Sequence, residues 1–181
     1  MIKPSIVIAA LLLASCAHTP PPPAVKYKDG EIPLASNYKT WPKGIMNIQR
    51  PDAKQVRDMY INDVGYGAKR GEPFPNGTVS VIELFKAKEG ADGALLKGAD
   101  GKLVRGDLIK VFVMGKGEGW GESAPAGLKN GDWVYASYDA KGAKAPDPIA
   151  ACRSCHLPLA DKDFFFRYDE YYDLKAKSPA Y

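Results

Sequence analysis

Apolar positions along this chain alternate with polar ones more often than they recur at helical spacing. The clearest case is Thr78-Val79-Ser80-Val81-Ile82-Glu83-Leu84-Phe85, rich in the β-branched and aromatic residues that suit a strand. It is launched by Phe74-Pro75-Asn76-Gly77, turn chemistry in which asparagine and glycine accept a positive φ. Val56 to Ile61, Leu108 to Met114 and Trp133 to Tyr138 read as further strands. Asn37-Tyr38-Lys39-Thr40-Trp41-Pro42 predicts a short helical turn stopped by proline. Gly117-Glu118-Gly119-Trp120-Gly121 and Gly142 to Pro148 read as loops, and Phe164-Phe165-Phe166 as a last strand or helix turn. Long helical periodicity is absent and no internal repeat is found, so the pattern predicts a β-rich domain and argues against a four-helix bundle.

The amino-terminal end follows different rules. Lys3 precedes an apolar run from Ile6 to Ala14, too short to span a bilayer and typical of an export leader. The run ends in Leu13-Ala14-Ser15-Cys16, which resembles a bacterial lipobox. That resemblance implies cleavage before Cys16 and acylation of Cys16, placing the mature protein in the periplasmic space, anchored by lipid to the outer membrane. An ordinary secretory signal with an incidental cysteine is the alternative. Pro20 to Pro23 then favours extended polyproline II, a semi-rigid spacer. The chain divides accordingly into a leader (1–15), an anchor and linker (16–30) and a folded domain (31–181). The formal charge of +4 is too small, and basic runs too short, to imply a nucleic-acid partner.

Chemistry concentrates near the other end, in Cys152-Arg153-Ser154-Cys155-His156. This is C-x-x-C-H, the attachment pattern of one covalent haem c. Two thiols add across the two porphyrin vinyl groups, the two-residue gap lets both reach one ring edge, and His156 falls beneath the iron as the proximal metal ligand. With Cys16 on the anchor and His18 beside it, this pair and His156 fall short of the four donors of a structural zinc site; a redox dithiol remains the rival for an isolated motif. No methionine follows His156, and His18 adjoins the anchor. Met46, Met59 and Met114 remain as possible sixth ligands, the last two within strands where core packing is their ordinary role. The reading favoured is a five-coordinate iron with an open distal side.

The order Asn37-Tyr38 and Trp41, then Arg57-Asp58-Met59-Tyr60-Ile61-Asn62, then Gly77 to Leu84, then the late haem motif and Asp163 to Phe166, resembles cytochrome P-460 and its relative cytochrome c′-beta. The resemblance covers the chain from about Gly30 onward. It implies a mainly antiparallel α+β fold with a few short helices, a five-coordinate haem c and a homodimer. Cytochrome P-460 proper oxidises hydroxylamine and carries a haem cross-linked to a strand lysine, whose matching position here is Ile82. Isoleucine has no amine to make that link. An apolar residue there resembles cytochrome c′-beta, whose hydrophobic distal pocket binds nitric oxide; its bland reading is core packing. The resemblance also puts a pocket carboxylate at Asp147 and a pocket arginine at Arg57, and Glu83 is a further acid in the same strand as Ile82.

Three functions follow as expectations. The first is binding of nitric oxide or a similar small diatomic. The second is oxidation of hydroxylamine or nitric oxide, with Asp147 as base and an electron-transfer partner as acceptor. The third is simple electron transfer with a methionine as sixth ligand. The leader makes its own prediction: labelled fatty acid should enter the wild-type protein in a bacterial host and be absent from Cys16→Ala, whereas an unlabelled wild type released into the periplasm would support the ordinary signal.

Overall fold

The computed structural model describes residues 25–146 and 148–178; the expected leader, the anchor at Cys16 and most of the linker lie outside the described residues. Five strands, β1 (Lys43–Arg50), β2 (Gln55–Ile61), β3 (Val79–Ala87), β4 (Arg105–Lys116) and β5 (Trp133–Asp139), form one sheet in the order of the chain. Every neighbouring pair is antiparallel, so the domain is a mainly β, α+β meander. Among the described residues three short α-helices accompany it: α1 (Asp63–Tyr66), α2 (Ile149–His156) and α3 (Tyr168–Lys177). Among the described residues no helix is long and apolar enough to cross a membrane.

Both faces of the sheet are buried, and strand alternation assigns side chains to each. One face gathers Tyr60, Val81, Val111, Val113, Val134, Ala136 and Tyr138 under the segment that carries Ile32, Leu34, Tyr38 and Trp41. The other gathers Met59, Ile61, Met114, Trp133 and Tyr135 against Phe74, Phe165 and the α3 tyrosines. Tyr168, Tyr171 and Tyr172 are all buried, and their i, i+3, i+4 spacing makes one helical stripe. Asp169 and Glu170 in the first turn of α3 and Lys175 and Lys177 in the last suit the helix dipole. These ten residues are too short and too aromatic to register as a helix by pattern alone.

β1 escaped the pattern for a different reason. Asn47 sits at φ 58° and makes a bulge whose N–H donates to the buried Asp58 carboxylate at 2.7 Å. Gly44 is equally constrained, because a Cβ there would meet the Met59 methyl at 2.7 Å. The Phe164-Phe165-Phe166 run, expected as a strand or helix turn, is instead an irregular connection between α2 and α3. Asp163, Phe164 and Arg167 there take φ values of 48°, 59° and 55°. For a bulky aromatic such as Phe164 this region costs about 1–3 kcal/mol.

The expectation of no internal repeat also needs correction at short range. Gly90-Ala91-Asp92-Gly93 and Gly98-Ala99-Asp100-Gly101, eight residues apart, build the same turn. In each, aspartate Oδ1 accepts from the N–H two residues on, at 3.1 Å in both copies. The last glycines take φ 77° and 73°. Lys88, Leu96 and Val104, again eight apart, close a ring of backbone hydrogen bonds. The unit is too short and too polar to show as hydrophobic periodicity.

Glu83 belongs to the face covered by the amino-terminal segment. Only 2% exposed, it accepts from the Tyr38 hydroxyl at 2.6 Å and the Tyr60 hydroxyl at 3.3 Å, and pairs with Lys39. It is a satisfied structural acid on the opposite side of the sheet from Ile82. Burial and the adjoining carboxylate raise both phenol pKa values, that of Tyr60 to about 12. Glu83→Ala should therefore lower the urea midpoint by the equivalent of about 2 kcal/mol, two hydroxyls losing their acceptor, and leave ligand behaviour on the other face unchanged.

Candidate haem site

The motif Cys152 to His156 occupies the end of α2, whose chain enters from Pro148. Cys152 and Cys155 stand three residues apart and His156 four from Cys152, so all three lie on neighbouring positions of one helical side. Cys152 is half-buried and packs on the same core cluster as Ile82; Cys155 is exposed. Arg153, within the motif, is only 1% exposed, and its guanidinium lies 5.4 Å from the centre of the Tyr135 ring. Its Nε and Nη2 donate to the Asp29 carboxylate at 2.6 and 3.0 Å, and Nη2 also donates to the Trp133 carbonyl at 3.0 Å. Nη1 reaches the Leu128 carbonyl at 3.3 Å. The Asp29 carboxylate in turn accepts from Tyr135 N–H at 3.1 Å. One guanidinium thus fastens α2 to β5 and to the amino-terminal segment.

His156 is half-buried beside the sheet. Its ring lies 5.0 Å from that of Tyr135 and 4.7 Å from that of Phe166. Nδ1 is 2.6 Å from the Phe164 carbonyl oxygen. A carbonyl can only accept, so Nδ1 carries the proton and Nε2 is the nitrogen with a free lone pair. Burial lowers the imidazole pKa against the opposing effect of this hydrogen bond, which favours the neutral ring that binds a metal.

The sheet face beside His156 is laid out in cross-strand rows. Ile61, Ser80, Met114 and Tyr135 form one row, and Met59, Ile82, Phe112 and Ser137 the next. Ile82 and Phe112 are direct partners and both half-buried. A third row holds Arg57, Leu84, Lys110 and Asp139. Ile82 and Arg57 therefore share the face on which His156 sits. Arg57 is half-buried and donates to neutral Gln55 Oε1 at 3.0 and 2.7 Å. Burial, then the like charge of Arg50, lowers its pKa. Asp147 lies outside the described residues. Of the methionines, Met46 packs on the other face of the sheet; Met59 and Met114 are 3% and 6% exposed within the cluster on the His156 side.

These residues fit a haem c. Two thiols and an imidazole with a free Nε2 share one helical side, the half-buried Ile82 and Phe112 lie on the sheet face beside His156, and the Tyr135 hydroxyl there is buried without a hydrogen-bond partner. No group of three or more His, Cys, Asp and Glu side chains suited to a metal ion occurs among the described residues. Phe112, Tyr135 and the Phe164 carbonyl were not foreseen. Strand alternation could nominate Phe112, but only the register of β3 on β4 brings it to Ile82.

A model of the cytochrome P460 family matches residues 35–167. A search of curated proteins returns no match. The buried guanidinium gives this subsection its prediction: Asp29→Ala leaves a desolvated charge without its carboxylate and should cost about 3 kcal/mol of stability, read as a lowered thermal midpoint.

Proposed function

Because the chain belongs to the cytochrome P460 family, a haem c family, we propose that it is an exported, lipid-anchored monohaem c-type cytochrome that binds nitric oxide or a similar small diatomic at a five-coordinate iron. Cys152 and Cys155 would hold the porphyrin by thioethers and His156 Nε2 would ligate the iron. The haem supplies the ligand-binding and redox chemistry; the chain supplies orientation, polarity and access. The observation that carries this reading is the position of Ile82. It stands half-buried on the His156 side, paired with Phe112, in the place where the resemblance puts the cross-linking lysine of hydroxylamine-oxidising members. Two apolar side chains there present no amine to the porphyrin and no donor to a distal ligand.

Two of the three methionines support an open sixth position. Met46 is on the wrong face, and Met59 reaches toward Gly44 in β1. A homodimer is part of the same proposal and rests on the resemblance. Arg57 favours the enzyme reading as second choice. It is a half-buried cation hydrogen-bonded to a neutral amide, on the face carrying Ile82, where its charge suits a polar substrate.

The test is spectroscopic and chemical. Protein matured with a haem c assembly system should carry one covalent haem, lost in the Cys152→Ala, Cys155→Ala double variant. Its ferrous form should be high-spin and take up nitric oxide. A peptide map should find two thioethers and no third bond. Brisk hydroxylamine oxidation would put the enzyme first, and a low-spin ferrous spectrum abolished by Met59→Leu or Met114→Leu would put electron transfer first.

A further inference from the structure

The link between α2 and α3 contains three non-glycine residues with positive φ in five positions, Asp163, Phe164 and Arg167. Such backbone persists only where its surroundings hold it. The fastening is visible. The Asp163 carboxylate accepts from Phe74 N–H at 2.7 Å and from Lys116 Nζ at 2.8 and 3.0 Å. The pair is largely shielded from solvent, with side chains 12% and 15% exposed. The Lys116 ammonium also lies 5.7 Å from the centre of the buried Trp133 ring. One residue beyond Asp163, the Phe164 carbonyl accepts from His156 Nδ1 at 2.6 Å, and two residues further Phe166 sets its ring edge-on against the imidazole.

We propose that Lys116 and Asp163 are positioning residues for the axial histidine: their ion pair holds the strained strap 163–167 so that the Phe164 carbonyl stays on His156 Nδ1, and thereby sets the strength of the iron–histidine bond. This rests on the reading of His156 as the proximal ligand of a five-coordinate haem. A carbonyl accepting from Nδ1–H makes Nε2 a better donor, and such outer partners tune metal sites. Because the hydrogen bond comes from backbone, no side-chain exchange at Phe164 removes it. The control lies in whatever holds the loop, and the structure assigns that to a charge on β4, a strand that carries none of the haem-attaching residues. Loosening the strap lengthens the Nδ1 contact, weakens the iron–histidine bond and favours the ferrous state.

The experiment uses haem-loaded full-length protein and two readouts that a merely structural role would not move. These are the ferrous iron–histidine stretching band in resonance Raman spectra and the reduction potential. Asp163→Asn keeps an acceptor for Phe74 N–H but loses the charge; it should shift the band to lower frequency and the potential upward. Lys116→Gln should do the same, and Lys116→Arg should restore both toward wild type. If Asp163→Asn fails to load haem, Lys116→Gln decides. Wild-type band and potential in the folded Lys116→Gln or Asp163→Asn protein would overturn the proposal, even with a lowered thermal midpoint. A wild type that is low-spin, without the band, would instead defeat the five-coordinate reading, and the potential shift alone would then judge the strap.

Discussion

The buried guanidinium of Arg153 is the interaction on which the arrangement of this domain turns. It sits inside the C-x-x-C-H motif and is held by Asp29 and the Leu128 and Trp133 carbonyls. A charge removed from water must be matched almost completely, and the matching groups come from three separate parts of the chain. Satisfying it brings α2 onto β5 and draws the amino-terminal segment against the same edge strand. With Arg153 locked, the helix has little rotational freedom; Cys152 packs on the cluster that Ile82 also joins, and His156 lies beside Tyr135 of the same sheet face.

The two faces of the sheet then divide the work. On one, a buried acid, two tyrosines and the amino-terminal segment form a satisfied structural cluster around Glu83. On the other, the histidine meets Tyr135, Phe166 and the Phe164 carbonyl, beside an apolar row of strand side chains. Adjacent residues Ile82 and Glu83 take opposite roles because a strand alternates. Glu83 therefore does not make the His156 side polar. The polar side chains of that face are Ser80 and Ser137 within the rows of Tyr135 and Ile82, and Arg57 and Lys110 in the row beyond.

Strain is concentrated in the same neighbourhood. A phenylalanine at positive φ is unfavourable by itself, and it follows an aspartate that is ion-paired and hydrogen-bonded to the backbone of another segment. The result is a carbonyl aimed at an imidazole nitrogen. Rigid support of a ligand by its outer partners is how a protein adjusts a metal it does not otherwise alter.

The order of residues was enough to nominate Cys152, Cys155 and His156, because thioether attachment and axial ligation demand fixed spacing along the chain. It was enough for the β-rich class and four of the five strands, whose alternation is local. It missed β1, where Gly44 and the bulge at Asn47 break alternation, and α3, whose ten residues are aromatic and short. It nominated Arg57 through the resemblance and held Glu83 as a further candidate, as readily a structural acid. Register puts the two on opposite faces, since pairing partners set which side chains share a face, and that depends on contacts between strands far apart in sequence. The same holds for the Phe164 carbonyl and the Lys116–Asp163 pair: a backbone oxygen carries no sequence signature, and an ion pair across 47 residues exists only after the sheet and the loop have met.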